Sequence, residues 1–172
     1  VCAMALFKID IAMVAGISSN SEAGIYVAAA RISEITYFIP AILASSLFPA
    51  IVRSKDDSAI YFHRMSCYYK ASAALAYGII GGMVLFHEWI IEVLYGAQYS
   101  GAESVLLVHA WTCLPVFLGG ARQQWLLSDG LIKFWVVFTA IGAVSNVLLN
   151  IYFIPPFGAI GAAYASLISY TI

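Results

Sequence analysis

Lys8, Asp10, Arg31 and Glu34 are ionisable residues set inside otherwise apolar stretches, and they are where this chain can do chemistry. Charge at bilayer depth is costly, so retained charges mark a substrate pathway, an ion pathway or a binding site. The cations Lys8 and Arg31 suit an anionic group held in a polar cavity, where low dielectric strengthens attraction. Asp10 and Glu34 have the chemistry to tune those cations or to exchange protons. His109, in a later apolar stretch, is a further proton acceptor near neutral pH. A purely structural reading competes with this one: Arg31 and Glu34 stand at i, i+3 and could pair on one helix, Lys8 could pair with an acid on a neighbour, and His109 could be a satisfied packing residue.

The elements that carry these residues follow from composition. At 63% hydrophobic and 10% charged residues, with a mean hydropathy of +0.92, the chain lies far from the soluble average of roughly half apolar and a quarter charged. It reads as an integral membrane protein with no water-soluble domain. A crossing helix needs about 20 apolar residues, and polar or Gly/Pro breaks divide the sequence into six spans at 1–17, 21–52, 69–95, 102–127, 133–154 and 157–172. Nothing alternates as barrel strands do, which leaves helices as the spanning structure. Position 1 is Val and both ends lie in apolar runs, so the chain reads as a fragment of a longer protein.

The basic residues set an orientation. Arg53, Lys55, Arg64 and Lys70 follow the second span, and Arg122 and Lys133 flank the connection between the fourth and fifth. These loops are expected in the cytoplasm. The opposite loops hold Glu22, Glu88, Glu92 and Glu103 and are expected outside. Counted at about 1.5 Å per residue, Lys8, Arg31 and Glu34 all come near the midplane. Gly24, Arg31, Glu34, Ala41 and Ser45 share one arc of the second span, a small and polar face suited to a cavity wall. Tyr95, Tyr99 and Trp89 read as interfacial anchors, with a ligand box as the weaker alternative. Asn146 and Asn150, at i, i+4, are expected to bond across helices, and Pro40, Pro49 and Pro115 to kink theirs. In the last span Gly158, Ala162 and Ser166 form one small-residue row, and Gly161, Ala165 and Ser169 another, allowing close helix contact.

The segments LFKIDIAMVAG, AGIYVAAARISEITYFIPAILASSLFPAIV, LYGAQYSGAESVLLVHAW and NVLLNIYFIPPFGAIGAAYASLISY together resemble the C-terminal half of bacterial oligosaccharide-lipid flippases. These are the O-antigen and polysaccharide transporters, of the superfamily that also holds multidrug extruders. The resemblance implies an all-α membrane protein, a six-helix lobe of a twelve-helix, two-lobe transporter whose N-terminal lobe is absent here. It implies a substrate, a polyprenyl-pyrophosphate-linked oligosaccharide, moved across the bacterial inner membrane by alternating access, for lipopolysaccharide or another polysaccharide. By resemblance, the cavity charges map to Lys8 and Asp10 in the KID motif and to Arg31 and Glu34 in ARISE. Partners so implied are the lipid-linked glycan, membrane lipids and the other lobe.

Coupling to protons or sodium stays open among Asp10, Glu34 and His109. No metal site, cofactor or nucleic-acid partner is expected. A multidrug cation antiporter of the same superfamily is the first alternative, and the basic pair Lys8 and Arg31 argues against it. A membrane-embedded glycan polymerase is the second. It would need catalytic groups on a substantial outer loop, and the longest loop, expected at 53–68, is cytoplasmic.

Overall fold

A computed structural model describes the backbone of residues 2–172 and the side chains of residues 9–172. Among the described residues every regular element is helical: α1 (Cys2–Ile17), α2 (Asn20–Glu34), α3 (Ile39–Val52), α4 (Ser58–Tyr95), α5 (Gly101–His109), α6 (Cys113–Ser128) and α7 (Ile132–Tyr170). Among the described residues four helical stretches are long and apolar enough to cross a membrane: 20–52, 58–95, 101–128 and 132–170. With Leu85, Trp89, Val93, Leu94, Phe134, Val137, Val144, Leu148 and Ile151 among many large apolar side chains left exposed, the surface suits hydrocarbon and not water. The chain is an all-helical, multi-pass membrane protein.

Local chemistry sets where helices start and turn. Ser19 caps α2 by accepting from the Glu22 N–H at 3.1 Å. Asp57 caps α4 by accepting from Ala59 and Ile60, so α4 begins well before the expected start at Tyr69. The long loop expected at 53–68 is therefore only a short connection, and Arg64 rides on the first turns of α4, donating to the Ala50 carbonyl. Gly96 ends α4 with φ of 81°, a conformation that costs glycine little.

The stretch 20–52 is interrupted by a tight 3-10 turn at Ile35–Phe38, and 101–128 by another at Ala110–Thr112. Each lies just before a proline, Pro40 or Pro115, whose missing N–H removes a helical hydrogen bond. The two turns meet: the Tyr37 and Thr112 hydroxyls bond at 2.5 Å, and the Thr36 hydroxyl lies 3.5 Å from Cys113 Sγ. Pro49 sits inside α3 without such an interruption.

Helix α7 turns at Gly158, where φ is 57° and ψ −132°. After Pro155 and Pro156 it runs back along itself, so a Cβ at Gly142 would stand 3.2 Å from the Ser169 carbonyl and one at Gly161 only 2.2 Å from that of Phe153. The small-residue rows thus do what their spacing implies: they let two limbs of α7 approach backbone to backbone. Glu22 of α2 holds the turn, its carboxylate accepting from the Ala159 N–H at 2.8 Å at the start of the returning limb. The main core forms between α1, α2, α4, α5, α6 and the returning limb, around Val14, Tyr26, Ile80, Leu106, Phe117 and Ala162.

Candidate functional site

Asp10 is the most enclosed charged residue among those described, 2% exposed. Oδ1 accepts from Asn150 Nδ2 at 2.7 Å, and Oδ2 from the Ser166 hydroxyl at 2.9 Å and the Tyr26 hydroxyl at 3.1 Å. These partners come from both limbs of α7 and from α2, so one carboxylate ties three helices together. Tyr26 and Ser166 lie 3.2 Å apart and complete a closed ring of polar atoms. The network extends along the first limb: Asn150 Nδ2 also reaches Asn146 Oδ1 at 3.1 Å, and Asn146 Nδ2 reaches the Ser169 hydroxyl at 3.3 Å. The i, i+4 asparagines do bond across helices. Their target, Asp10, is a partner that sequence spacing does not reveal.

All three donors to Asp10 are neutral. Among the described residues no Lys or Arg lies within salt-bridge distance of it, and Asn150 Oδ1 is buried with no partner. A buried carboxylate held only by neutral groups is a costly arrangement. Its partners also permit a change of state: hydroxyls donate or accept by rotating, and an amide does both from its two ends. This is the chemistry of a group that can take up a proton or a small cation.

Asp10 also lines a cavity of about 590 Å³. The cavity runs between α3, α6 and both limbs of α7, past Asn146 and Ser169, to Arg122, Gln123 and Gln124 near the charged end of α6. Arg122 stands over the Phe138 ring, 5.4 Å from its centroid. Small residues, Ala41, Ala44, Gly119, Gly120, Gly142 and Ala143, leave this space open.

Arg31, Glu34 and His109 do not line this cavity. Glu34 is half-buried and Arg31 exposed, and among the described residues the charged pairs within 4 Å are Lys55–Asp129 and His87–Glu88. Arg31 and Glu34 therefore do not form the i, i+3 ion pair that the purely structural reading would have. Arg31 instead stands in an exposed stripe with Ile35, Phe38 and Ile42, one cation on an apolar face. His109 is 1% exposed, bonded to the Ser33 hydroxyl at 2.5 Å and edge-on to Tyr26 at 5.8 Å. The side chain of Lys8 lies outside the described residues. No cluster of three or more His, Cys, Asp or Glu side chains able to hold a metal occurs among the described residues.

At the end of the molecule bearing the basic loops, Lys55 Nζ meets Asp129 Oδ1 at 2.9 Å and donates to the Ser128 carbonyl. The Tyr61 hydroxyl joins Ser128 Oγ at 3.0 Å. The hydrogen bond from Lys55 holds the Asp129 carboxyl below its usual range.

Comparison with known proteins adds a second kind of observation. A family model described as "Polysaccharide biosynthesis protein" matches residues 1–104. The "Probable low-salt glycan biosynthesis flippase Agl15" of Haloferax volcanii is 27% identical over 169 residues, covering 95% of this chain and 35% of that protein. The "Probable flippase AglR" of the same archaeon is 32% identical over 164 residues, covering 90% of this chain and 33% of that protein. The chain spans about a third of the length of these curated relatives. No solved structure matches.

Proposed function

Because the chain belongs to the polysaccharide biosynthesis protein family, we propose that it is part of a flippase that carries a polyprenyl-pyrophosphate-linked oligosaccharide across a membrane by alternating access. In this reading it supplies the C-terminal, six-span lobe of a twelve-helix transporter. Gly158 divides α7 into the last two spans, and the N-terminal lobe covers the face that presents Arg31. The resemblance to bacterial O-antigen carriers suggests the inner membrane as its location. The named relatives are archaeal, so the proposal rests on what both would share, a lipid-linked glycan.

The observation that carries the reading is Arg31. A guanidinium at mid-helix, exposed beside Ile35, Phe38 and Ile42, is too costly to face hydrocarbon. It is well placed to meet an anionic headgroup in a pathway between two lobes, where attraction is only weakly screened. Lys8, two residues before Asp10 on α1, would add a second cation. The polyprenyl tail stays in lipid, and no covalent bond changes.

Asp10 is the proposed coupling site. Loading it with a proton or sodium ion alters which of Tyr26, Ser166 and Asn150 donate, and so alters how α1, α2 and α7 are tied. Glu34 is a secondary candidate on the substrate side. His109, enclosed by Ser33 and Tyr26, serves packing better than exchange.

In the full-length protein, Arg31→Ala should abolish export of the glycan at normal protein levels, with lipid-linked repeat units accumulating on the inner leaflet. Normal export by that variant would overturn the proposal. Drug resistance without any glycan defect would favour the multidrug antiporter instead.

A further inference from the structure

A second, smaller cavity of about 360 Å³ lies at the end of the molecule that carries Glu22, Glu92 and Glu103. It is lined by Asn20, Ser21, Gly24, Ile25, Gln98 and Tyr99. We propose that this cleft is a subsite for neutral sugars of the translocated glycan. The proposal rests on the flippase reading above.

The lining chemistry points to a carbohydrate. It contains no Asp, Glu, Lys or Arg, so no side-chain charge is there to hold a phosphate or a metal ion. It does offer amides and hydroxyls on one cleft, which match the mixed donors and acceptors of sugar hydroxyls. The Asn20 and Ser21 side chains have no hydrogen-bond partner among the described residues, and Gln98 makes only a long contact to the Tyr95 carbonyl at 3.5 Å. Their bonding capacity is free for a ligand.

Tyr99 adds a ring to this polar rim. It packs beside Tyr95, with ring centroids 5.5 Å apart, and both rings are seated against the main core. A ring fixed in this way is a low-entropy surface for the C–H face of a pyranose, with its hydroxyl at the wet edge. An anchoring role at the membrane boundary accounts for Tyr95. It does not account for a Tyr99 that walls a cleft with the uncommitted side chains of Asn20 and Ser21 and the weakly held Gln98. Gly24 keeps the cleft open, since a Cβ there would meet nothing within 4 Å.

Position supports the same assignment. At 3.6 residues per turn, Asn20, Gly24 and Arg31 fall within roughly 40° on one face of α2, and Asn20 lies roughly 16 Å along the helix from Arg31. A pyrophosphate near Arg31 would therefore place the first sugars of its glycan beside the cleft. The cation and the cleft divide the substrate between them: charge is met at mid-helix, hydroxyls at the helix start.

The test uses the full-length protein in detergent and, as probe, the oligosaccharide released by mild acid from the host's lipid-linked pool. Saturation-transfer NMR should show the sugar protons in contact with the wild type. Asn20→Ala/Gln98→Ala changes exposed side chains only and should weaken binding about tenfold, as loss of a pair of neutral hydrogen bonds implies. Tyr99→Ala should abolish it and Tyr99→Phe retain it. No transfer in the wild type, or equal transfer in the wild type, the double variant and Tyr99→Ala, overturns the subsite.

Reconstituted transport separates this from the parent reading. If the wild type flips the lipid-linked glycan while the double variant binds and flips as well as it does, the subsite alone falls. If the wild type binds the free sugar through these residues yet flips nothing, the flippase reading falls and the cleft stands as a glycan-binding site.

Discussion

Two carboxylates in this molecule are satisfied in opposite ways. Asp129, at an exposed end, is met by the ammonium of Lys55 at 2.9 Å. Asp10, enclosed between α1, α2 and α7, is met by three neutral donors. The first arrangement is an ordinary surface pair, cheap to form and of little energetic consequence. The second encloses an ionisable group with no cation among the described residues to offset its charge. The contrast separates a fastening between loops from the enclosed carboxylate proposed as the coupling group.

Removing Asp10 should therefore have the larger effect. Asp10→Ala removes the acceptor shared by Asn150, Tyr26 and Ser166; one hydroxyl can still donate to the other, which leaves two buried donors unmatched, each costing about 1–3 kcal/mol. Thermal unfolding of the purified full-length protein should show a loss on the order of 3 kcal/mol or more. A loss under about 1 kcal/mol, within the range of surface pairs, would erase the distinction drawn between the two carboxylates.

The close approach of the α7 limbs, which brings Asn150 and Ser166 to one carboxylate, offers a smaller perturbation. Gly161→Ala would place a Cβ 2.2 Å from the Phe153 carbonyl, a backbone contact that cannot yield without moving a limb. Overpacking of this kind costs about 1–3 kcal/mol. Gly119→Ala, where a Cβ meets nothing within 4 Å, is the matched control and should be neutral or slightly stabilising. Equal effects at the two glycines would mean that the limbs are not held by close packing.

The Lys55–Asp129 pair should give the smallest change. Lys55→Ala is expected to cost less than about 1 kcal/mol. Since Asp129 is held below its usual carboxylate range chiefly by the Lys55 hydrogen bond, the ionised form is favoured in the folded state. Its contribution is present above the unfolded value near about pH 4 and fades as pH falls through the lower folded value. The stability gap between wild type and Asp129→Asn should close in acid. A gap that widened in acid would contradict this sign.

The sequence exposed some of this arrangement and hid the rest for identifiable reasons. Helical, membrane-spanning character follows from hydropathy alone, because length and apolarity leave few alternatives. Asn146 and Asn150 announced an interhelical bond by sitting at i, i+4 in an apolar helix, and the Gly and Ala rows announced close packing. The identity of the Asp10 partners was not legible, since Tyr26 is near in sequence but Asn150 and Ser166 are 140 and 156 residues away. Only the turn at Gly158 brings them back. The Arg31–Glu34 pair looked natural from spacing, yet it is not among the ion pairs within 4 Å of the described residues: Arg31 stands exposed and Glu34 half-buried. Local spacing gives the opportunity for an ion pair, and tertiary packing decides whether it forms. Tyr99 was readable as an aromatic at a boundary, whereas the uncommitted side chains around it become visible only in three dimensions.

The central claim is that Asp10 works as a coupling group and is more than a packing device. Asp10→Asn keeps the size and much of the hydrogen bonding of the carboxylate but cannot ionise. Full-length wild type and Asp10→Asn would be reconstituted in liposomes, and movement of lipid-linked oligosaccharide between leaflets followed with and without imposed proton and sodium gradients. One gradient is expected to accelerate the wild type, while Asp10→Asn folds, flips slowly and ignores both. An Asp10→Asn protein that responds to the gradient as the wild type does would contradict it.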